Sequence, residues 1–313
     1  MIATRPFELD DARRLVTAPA LRDSKYTRGV TLLATGSEEY PGAAVLSCAG
    51  ALAGGAGFMR YLGPETPTSL VLSRLPEVVV GGGRADAAVI GSGIGSARDD
   101  ARATELRELA EMDLPTVVDA GALELIADTT PKSCILTPHE GELDKLCEQL
   151  GLGTISTQKS GRRRTRTARG KQARSVAEHT GQIVLIKGAA TRVVSPGAET
   201  AHLIEAPSHW AATAGTGDVL SGMIGAFLAG AAARSSMPLT NEEMAWQASL
   251  GAWVHAWAAW TAARRASGDH ITAEEVLDAM SHPAMAAGFM GPIRASDLAR
   301  AVPTVLAATL AEA

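Results

Sequence analysis

Cysteine is scarce in this chain and scattered. Cys48, Cys134 and Cys147 are the three present, with no CxxC spacing, so neither a disulfide framework nor a thiolate metal centre is expected. They read as reduced, buried thiols of a cytosolic protein. Aromatic residues make up only 4% of the sequence, and Ala and Gly dominate instead, which predicts closely packed helices and tight turns. There is no large excess of either charge: the net charge is -5 and the pI is near 5.8, which does not recommend nucleic acid as a partner. The opening "MIATRPFELDD" has no apolar run after a basic one, so a signal peptide is not expected. No run of about 18 residues reads as apolar enough to cross a bilayer, so no membrane association is expected. There is no GxxxxGK[ST] phosphate loop. The glycine loop "GSGIG" (91–95) lacks the spacing and the following acidic strand end of a dinucleotide fingerprint, which disfavours a redox Rossmann enzyme. The segment "LTPHEGEL" (136–143) does not resemble metal-ligand spacing, and the metal ligands are left unassigned.

What is present is a chain that can bury a large core. Of 313 residues, 46% are hydrophobic and 20% charged, which argues against disorder. Short β-rich runs alternate with longer helical ones. "VTLLATG" (30–36), "FMRYLG" (58–63), "DAAVIGSGIG" (86–95), "PTVVDAGAL" (115–123) and "SCILTPHEGEL" (133–143) read as strands, most of them running into loops. "QIVLIKG" (182–188) and "TRVVSPG" (191–197) read as a hairpin. Helices are expected over 41–55, with Pro41 in the first turn, over 100–112, and through most of the chain from 218 onward. Repeated strand–helix units predict an α/β fold with a doubly wound, mostly parallel sheet flanked by helices. No repeat or linker divides the chain, so 1–313 reads as one domain. In such sheets ligands collect at the carboxyl ends of the strands.

Three loops could carry chemistry. In "GTGD" (215–218), the glycines let successive N–H groups turn inward as an anion nest. A helix starting at about Asp218 would add its positive end. The site suits a phosphate or a transferring phosphoryl group, although Asp218 as a plain helix cap is an equally open reading. "IKGAAT" (186–191) ends an apolar strand and reads either as a second phosphate contact or as a hairpin turn with Lys187 in solvent. "LTPHEGEL" places Pro138, His139 and Glu142 after a strand. His139 reads as a ligand-orienting group or as a surface histidine, and Glu142 as the start of a helix. A fourth segment, "KSGRRRTRTARGKQARS" (159–175), holds eight basic residues and no acidic one. It is either a solvated loop leading into a helix or a loop that steers phosphates.

These motifs occur in a telling order. "KYTRGVTLLATGSEEYPGAAVLSCAGALAGGAG" (25–57), "GSGIG", "VVDAGAL", "ILTPHEGELDKL", "VLIKGAATRVV", "ATAGTGDVLSGMIGAFLAG" and "IRASDLARAVP" (293–303) together resemble the ADP/ATP-dependent NAD(P)H-hydrate dehydratases of the ribokinase-like superfamily. GTGD alone would indicate only the wider superfamily of sugar and vitamin kinases. The resemblance covers roughly 25–303 and implies a ribokinase-like fold. It places Asp218 beside the hydrated nicotinamide as the catalytic base, with Ala43 or its neighbour Ala44, Gly93 and His139 also at the substrate. It assigns Lys187, Gly188, Ala189, Ala190 and Thr191, together with Gly215, Thr216 and Gly217, to the adenine nucleotide. It implies ADP or ATP as phosphoryl donor, with Mg²⁺ bridging the phosphates. It further implies a cytoplasmic homo-oligomer, tetrameric in the family, and a single-function form without the fused epimerase domain of some members. The basic stretch 159–175 departs from the family pattern. Two other readings stand against it. One is a superfamily kinase that releases a phosphorylated sugar or vitamin, disfavoured by "TPHEGE" and "YPGAA". The other is a nucleotide-binding regulatory protein, for which a complete phosphoryl-transfer turn would be superfluous.

Overall fold

The computed structural model describes residues 3–98, 102–153 and 166–311. Ten strands form one sheet in the spatial order β1-β10-β9-β8-β7-β6-β5-β2-β3-β4. They are β1 (Ala3–Pro6), β2 (Val30–Ala34), β3 (Phe58–Tyr61), β4 (Val79–Val80), β5 (Ala87–Ile90), β6 (Thr116–Val118), β7 (Cys134–Leu136), β8 (Ile183–Ile186), β9 (Ala190–Val194) and β10 (Thr200–Glu205). All neighbours run parallel except the two pairs that include β9, which is antiparallel to both β8 and β10. The expected hairpin is therefore present, inside an otherwise parallel sheet.

The central strands β2, β5, β6, β7 and β8 are buried along their whole length. That is why they read as unbroken apolar runs and not as alternating ones. Alternate residues feed two cores. Leu33, Val89, Val117, Ile135 and Leu185 point to one face; Leu32, Ile90, Val118, Leu136 and Val184 point to the other. The first face is covered by α2 (Pro41–Ala53), α7 (Thr216–Arg234), α8 (Asn241–Ala266), α9 (Ala273–Ser281) and α10 (Ala295–Leu310), together with α1 (Leu9–Leu15) and α3 (Glu65–Arg74). The second is covered by α4 (Ala103–Glu111), a long 3-10 helix (Ala120–Asp128), α5 (Glu140–Gln149) and α6 (Arg166–Thr180). Cys48, Cys134 and Cys147 are free and buried, and burial pushes the Cys134 thiol up to about 12.

Several expectations are corrected. The segment 115–123 is strand only over Thr116–Val118. Ala120 then adopts a left-handed φ of 47°, rare for a residue with a side chain, and turns the chain into the 3-10 helix. The segment 133–143 is strand only over Cys134–Leu136. Pro138 cannot donate to a ladder, and a capping box of His139 and Glu142 starts α5 at once. α7 begins at Thr216, two residues before the expected start. α7 is also long and apolar enough to cross a membrane by composition alone, contrary to the expectation, with a mean hydropathy of 1.3. Its apolar surface is instead taken up inside the protein: 67% of that window is buried, against α2, α8 and strands β2, β5 and β6. The close helix packing expected from Ala and Gly is real. A Cβ on Gly222 of α7 would lie 1.9 Å from the Ser47 carbonyl of α2.

Candidate active site at the strand ends

The carboxyl ends of four adjacent strands converge on one buried carboxylate. Asp119, the residue after β6, is 2% exposed. Its Oδ1 accepts from Lys187 Nζ (2.6 Å), just past β8, and from Thr137 Oγ1 (2.8 Å), just past β7. Its Oδ2 accepts from Ser92 Oγ (2.9 Å) in the loop after β5 and from Ser221 Oγ (2.8 Å) in the first turns of α7. One carboxylate thus gathers four strand-end loops and one helix. Burial acts against its charge, but the ammonium of Lys187 and the hydrogen bonds from Lys187, Ser221 and Thr137 outweigh it and hold Asp119 below the ordinary carboxylate range. Burial likewise acts against the charge of Lys187, and the carboxylates of Asp119, Glu142 and Asp218 outweigh it, raising the lysine.

The GTGD turn lies directly against this pair. Gly215 is the N-cap of α7 with a left-handed φ of 89°, which explains a glycine there. Thr216 Oγ1 ties the turn to the carbonyls of Ala211 (2.8 Å) and Thr213 (2.9 Å). A Cβ on Gly217 would sit 3.7 Å from Lys187 Nζ. The first-turn N–H groups of α7 have no intrahelical acceptor and carry the positive end of a 19-residue helix. Asp218 is therefore not the cap. It is the third residue of the helix and makes no capping bond. Burial, then the charge of Asp119, push its carboxyl up to about 7, against the pull of Lys187. Burial and the neighbouring Asp119 charge thus separate the two carboxyls in proton affinity, Asp119 staying ionised while Asp218 is raised.

The sequence-predicted residues fall into two groups. Lys187, Gly188, Ala189, Thr191, Thr216 and Gly217 line one cavity of about 240 Å³. Ala190 and Gly215 stand outside that lining: Ala190 opens β9 opposite Glu205, and Gly215 backs onto Leu46 and Ala295. Gly93 and His139 line a second cavity of about 390 Å³ with Tyr40 and Glu142. Ala43 supports Gly93 from behind, since a Cβ on Gly93 would lie 2.2 Å from the Ala43 Cβ. Ala44 is fully buried against Gly36. His139 Nδ1 accepts from the N–H groups of Gly141 (2.9 Å) and Glu142 (3.2 Å), and Glu142 accepts from the His139 N–H in return. The ring proton is therefore on Nε2, and the exposed edge of His139 can only donate.

The basic stretch divides. Residues 159–165 lie outside the described residues. From 166 the stretch is the start of α6. Arg169 is buried there and holds the start of α5, through the Glu140 carbonyl (2.9 Å), the Glu140 carboxylate (2.9 Å) and Asp144 (3.1 Å). For this arginine neither a solvated loop nor phosphate steering applies.

Asp119, Ser92, Thr137 and Ser221 were not singled out from the sequence. The available signal was Asp119 itself, a charged residue closing an apolar strand. His255 in α8 was also missed. Its ring lines the smaller cavity and bonds the Thr216 carbonyl at 2.9 Å, but Thr216 lies 39 residues away and a histidine in "LGAWVHAWAAW" carries no local mark.

Fold and site together define a ribokinase-like α/β protein with a glycine turn and a helix start at its strand ends. The chain belongs to the NAD(P)H-hydrate dehydratase family, whose model matches residues 31–282. It is 39% identical, over 235 residues, to the bifunctional NAD(P)H-hydrate repair enzyme of Mycobacterium tuberculosis, covering 71% of this chain and 46% of that protein. It is 31% identical, over 221 residues, to the ADP-dependent (S)-NAD(P)H-hydrate dehydratase of Lactococcus lactis, covering 66% of this chain and 74% of that protein. The Bacillus subtilis ADP/ATP-dependent NAD(P)H-hydrate dehydratase, co-crystallized with ATP/Mg²⁺, superposes with a TM-score of 0.68 at 25% identity, over 95% of this chain and 96% of that one. The chain spans about half the length of the bifunctional relatives it matches.

Proposed function

We propose that residues 1–313 act as one unit that dehydrates the hydrated forms of NADH and NADPH, with ADP or ATP as phosphoryl donor. The observation that carries this reading is Asp218: an uncapped carboxylate, raised to about 7, next to Gly217 and Lys187. The hydrate carries water across the C5=C6 bond of the nicotinamide ring, and hydroxide is a poor leaving group. Asp218 takes the proton of the hydroxyl on C6 as that oxygen attacks the terminal phosphorus of the nucleotide. The P–O bond to AMP, or to ADP when ATP is the donor, breaks. The ring N1 lone pair then expels phosphate, and loss of the C5 proton restores C5=C6. Phosphoryl transfer asks for positioning and charge stabilisation, which the N–H groups of the α7 terminus and Lys187 supply.

In this reading Lys187, Gly188, Ala189, Ala190, Thr191, Gly215, Thr216 and Gly217 hold the nucleotide, while Gly93, His139 and the Ala43–Ala44 turn hold the hydrate. No cluster of three potential metal-binding side chains occurs among the described residues, and both oxygens of Asp119 are already bonded. Mg²⁺ would be held chiefly by the nucleotide phosphates, with Asp218 as the one protein carboxylate left for it, and would supply charge neutralisation. Cytoplasmic location and a homo-oligomer, a tetramer by resemblance, belong to the same reading.

The test is to incubate the protein with NADH-hydrate or NADPH-hydrate, Mg²⁺ and either ADP or ATP. Recovery of the reduced-nicotinamide absorbance with release of inorganic phosphate is the expected result. Accumulation of a stable phosphorylated product would instead point to a superfamily kinase.

A further inference from the structure

The smaller cavity is lined by Lys187 and the start of α7, by the apolar side chains of Ile204, Leu220, Ala252 and Ala256, and by Ser208 and His209. His255, one turn from Ala252 on α8, is part of the same lining. A carbonyl only accepts, so the 2.9 Å contact to the Thr216 carbonyl requires the proton on Nε2. Burial pushes the imidazole down to about 4, so near neutral pH it carries no second proton. Nδ1 is consequently a bare acceptor. It has no partner among the described residues, and it is not sealed from the cavity.

We propose that His255 reads the nucleobase, its Nδ1 accepting a hydrogen bond from the exocyclic amine of a 6-aminopurine and so selecting adenine nucleotides over 6-oxopurine nucleotides. The inference rests on the reading that this cavity takes the nucleotide, and it adds the base and the residue that chooses it. The phosphates go to Lys187 and the N–H groups of the α7 turn, which leaves the planar base for the apolar side chains of the lining. A bare acceptor beside those side chains must be met by a donor from the ligand, or its desolvation is uncompensated. Adenine offers an amine at that position. Hypoxanthine and guanine offer a carbonyl, which would set lone pair against lone pair. The same ring holds the carbonyl of Thr216, so base recognition and the geometry of the GTGD turn share one side chain.

The test measures Kd by calorimetry for ADP, IDP and the diphosphate of 6-H purine riboside, on the intact chain. Wild type should bind ADP about 10- to 100-fold more tightly than either analogue, the scale for leaving a buried acceptor unpaired. His255→Ala should collapse that preference towards unity, whereas His255→Gln, which keeps an amide acceptor, should retain part of it. The preference is a ratio taken within one variant, so a general loosening of the turn through the lost Thr216 bond cancels. Equal binding of all three by wild type, or a preference unchanged in His255→Ala, overturns the assignment of His255 and leaves the nucleotide reading standing. A folded wild type that binds none of the three overturns both.

Discussion

Lys187 Nζ lies 2.6 Å from Asp119 Oδ1, and the two residues come from the ends of strands that are 68 positions apart in sequence. This pair organises the site. Asp119 keeps the ammonium charged in a buried place, and the ammonium stands beside the turn where anions are expected. The pair also sets the field felt by Asp218, which Asp119 raises and Lys187 lowers.

Asp119→Asn should therefore destabilise the protein. It leaves Lys187 without its nearest counter-charge, with Glu142 at 3.8 Å, and turns an amide towards donors that need an acceptor. A loss of about 3–5 kcal/mol is expected for breaking a buried pair from one side, read by chemical denaturation. A loss below about 1 kcal/mol, the range of an exposed ion pair, would mean the cluster is solvated in solution.

For Asp218 the two readouts move in opposite directions. Its carboxyl is raised from 3.8 to about 7 on folding, so the neutral form favours the folded state. That stability is fully present below about pH 4 and declines as pH rises towards 7. Asp218→Asn should then match wild type in melting temperature in acid and exceed it above pH 7. Asn loses no capping bond here, because Gly215 is the cap. Turnover of the variant should fall by about 10²-fold or more, the scale for removing a general base. Wild-type kcat/KM should climb with pH through an apparent pKa near 7. Near-wild-type turnover in the Asn variant would remove Asp218 from the chemistry.

A pair of variants can separate the observed cap role of His139 from its proposed role at the hydrate. His139→Ala should weaken the α5 start by about 1 kcal/mol, the usual value of a side-chain cap, and also raise KM for the hydrate. His139→Asn restores a capping oxygen but not the Nε2–H edge. It should recover the melting temperature while KM for the hydrate stays high and KM for the nucleotide stays low. Recovery of both by Asn would make His139 a cap alone.

The two halves of the basic stretch should behave differently towards salt. Arg169→Ala removes a nearly buried guanidinium from Glu140 and Asp144, whose side chains are 51% and 26% exposed, so its destabilisation should be only partly reduced at high ionic strength. Neutralising Arg162, Arg163 and Arg164 should lower kcat/KM only at low salt if that segment steers phosphates. A salt-independent loss would argue against steering.

Much of this protein was legible before any coordinates. The apolar runs over 30–34, 87–90 and 183–186 had to be strands covered on both faces, because no other element of that length buries every side chain. That Gly215–Asp218 is a glycine turn leading into a helix was legible because glycine spacing and a following helix are local properties. The ordered motifs were enough to name the family. What the sequence could not decide depends on distance in three dimensions. Nothing near "VVDAGAL" says that Asp119 will meet residues 92, 137, 187 and 221, since sheet order brings those strand ends together. Whether Asp218 caps a helix or is held as a raised carboxyl depends on where α7 starts and on how much water the packing leaves. The apolar stretch of α7 did not read as enough to span a membrane and proved long and apolar enough by length and composition; only its neighbours in the fold show that its apolar surface serves the core. His255 gained its partner the same way, because α8 crosses the start of α7. Local patterning determined the elements and the turn; burial and the meeting of distant strand ends determined which groups are charged, which are bare, and what each can bind.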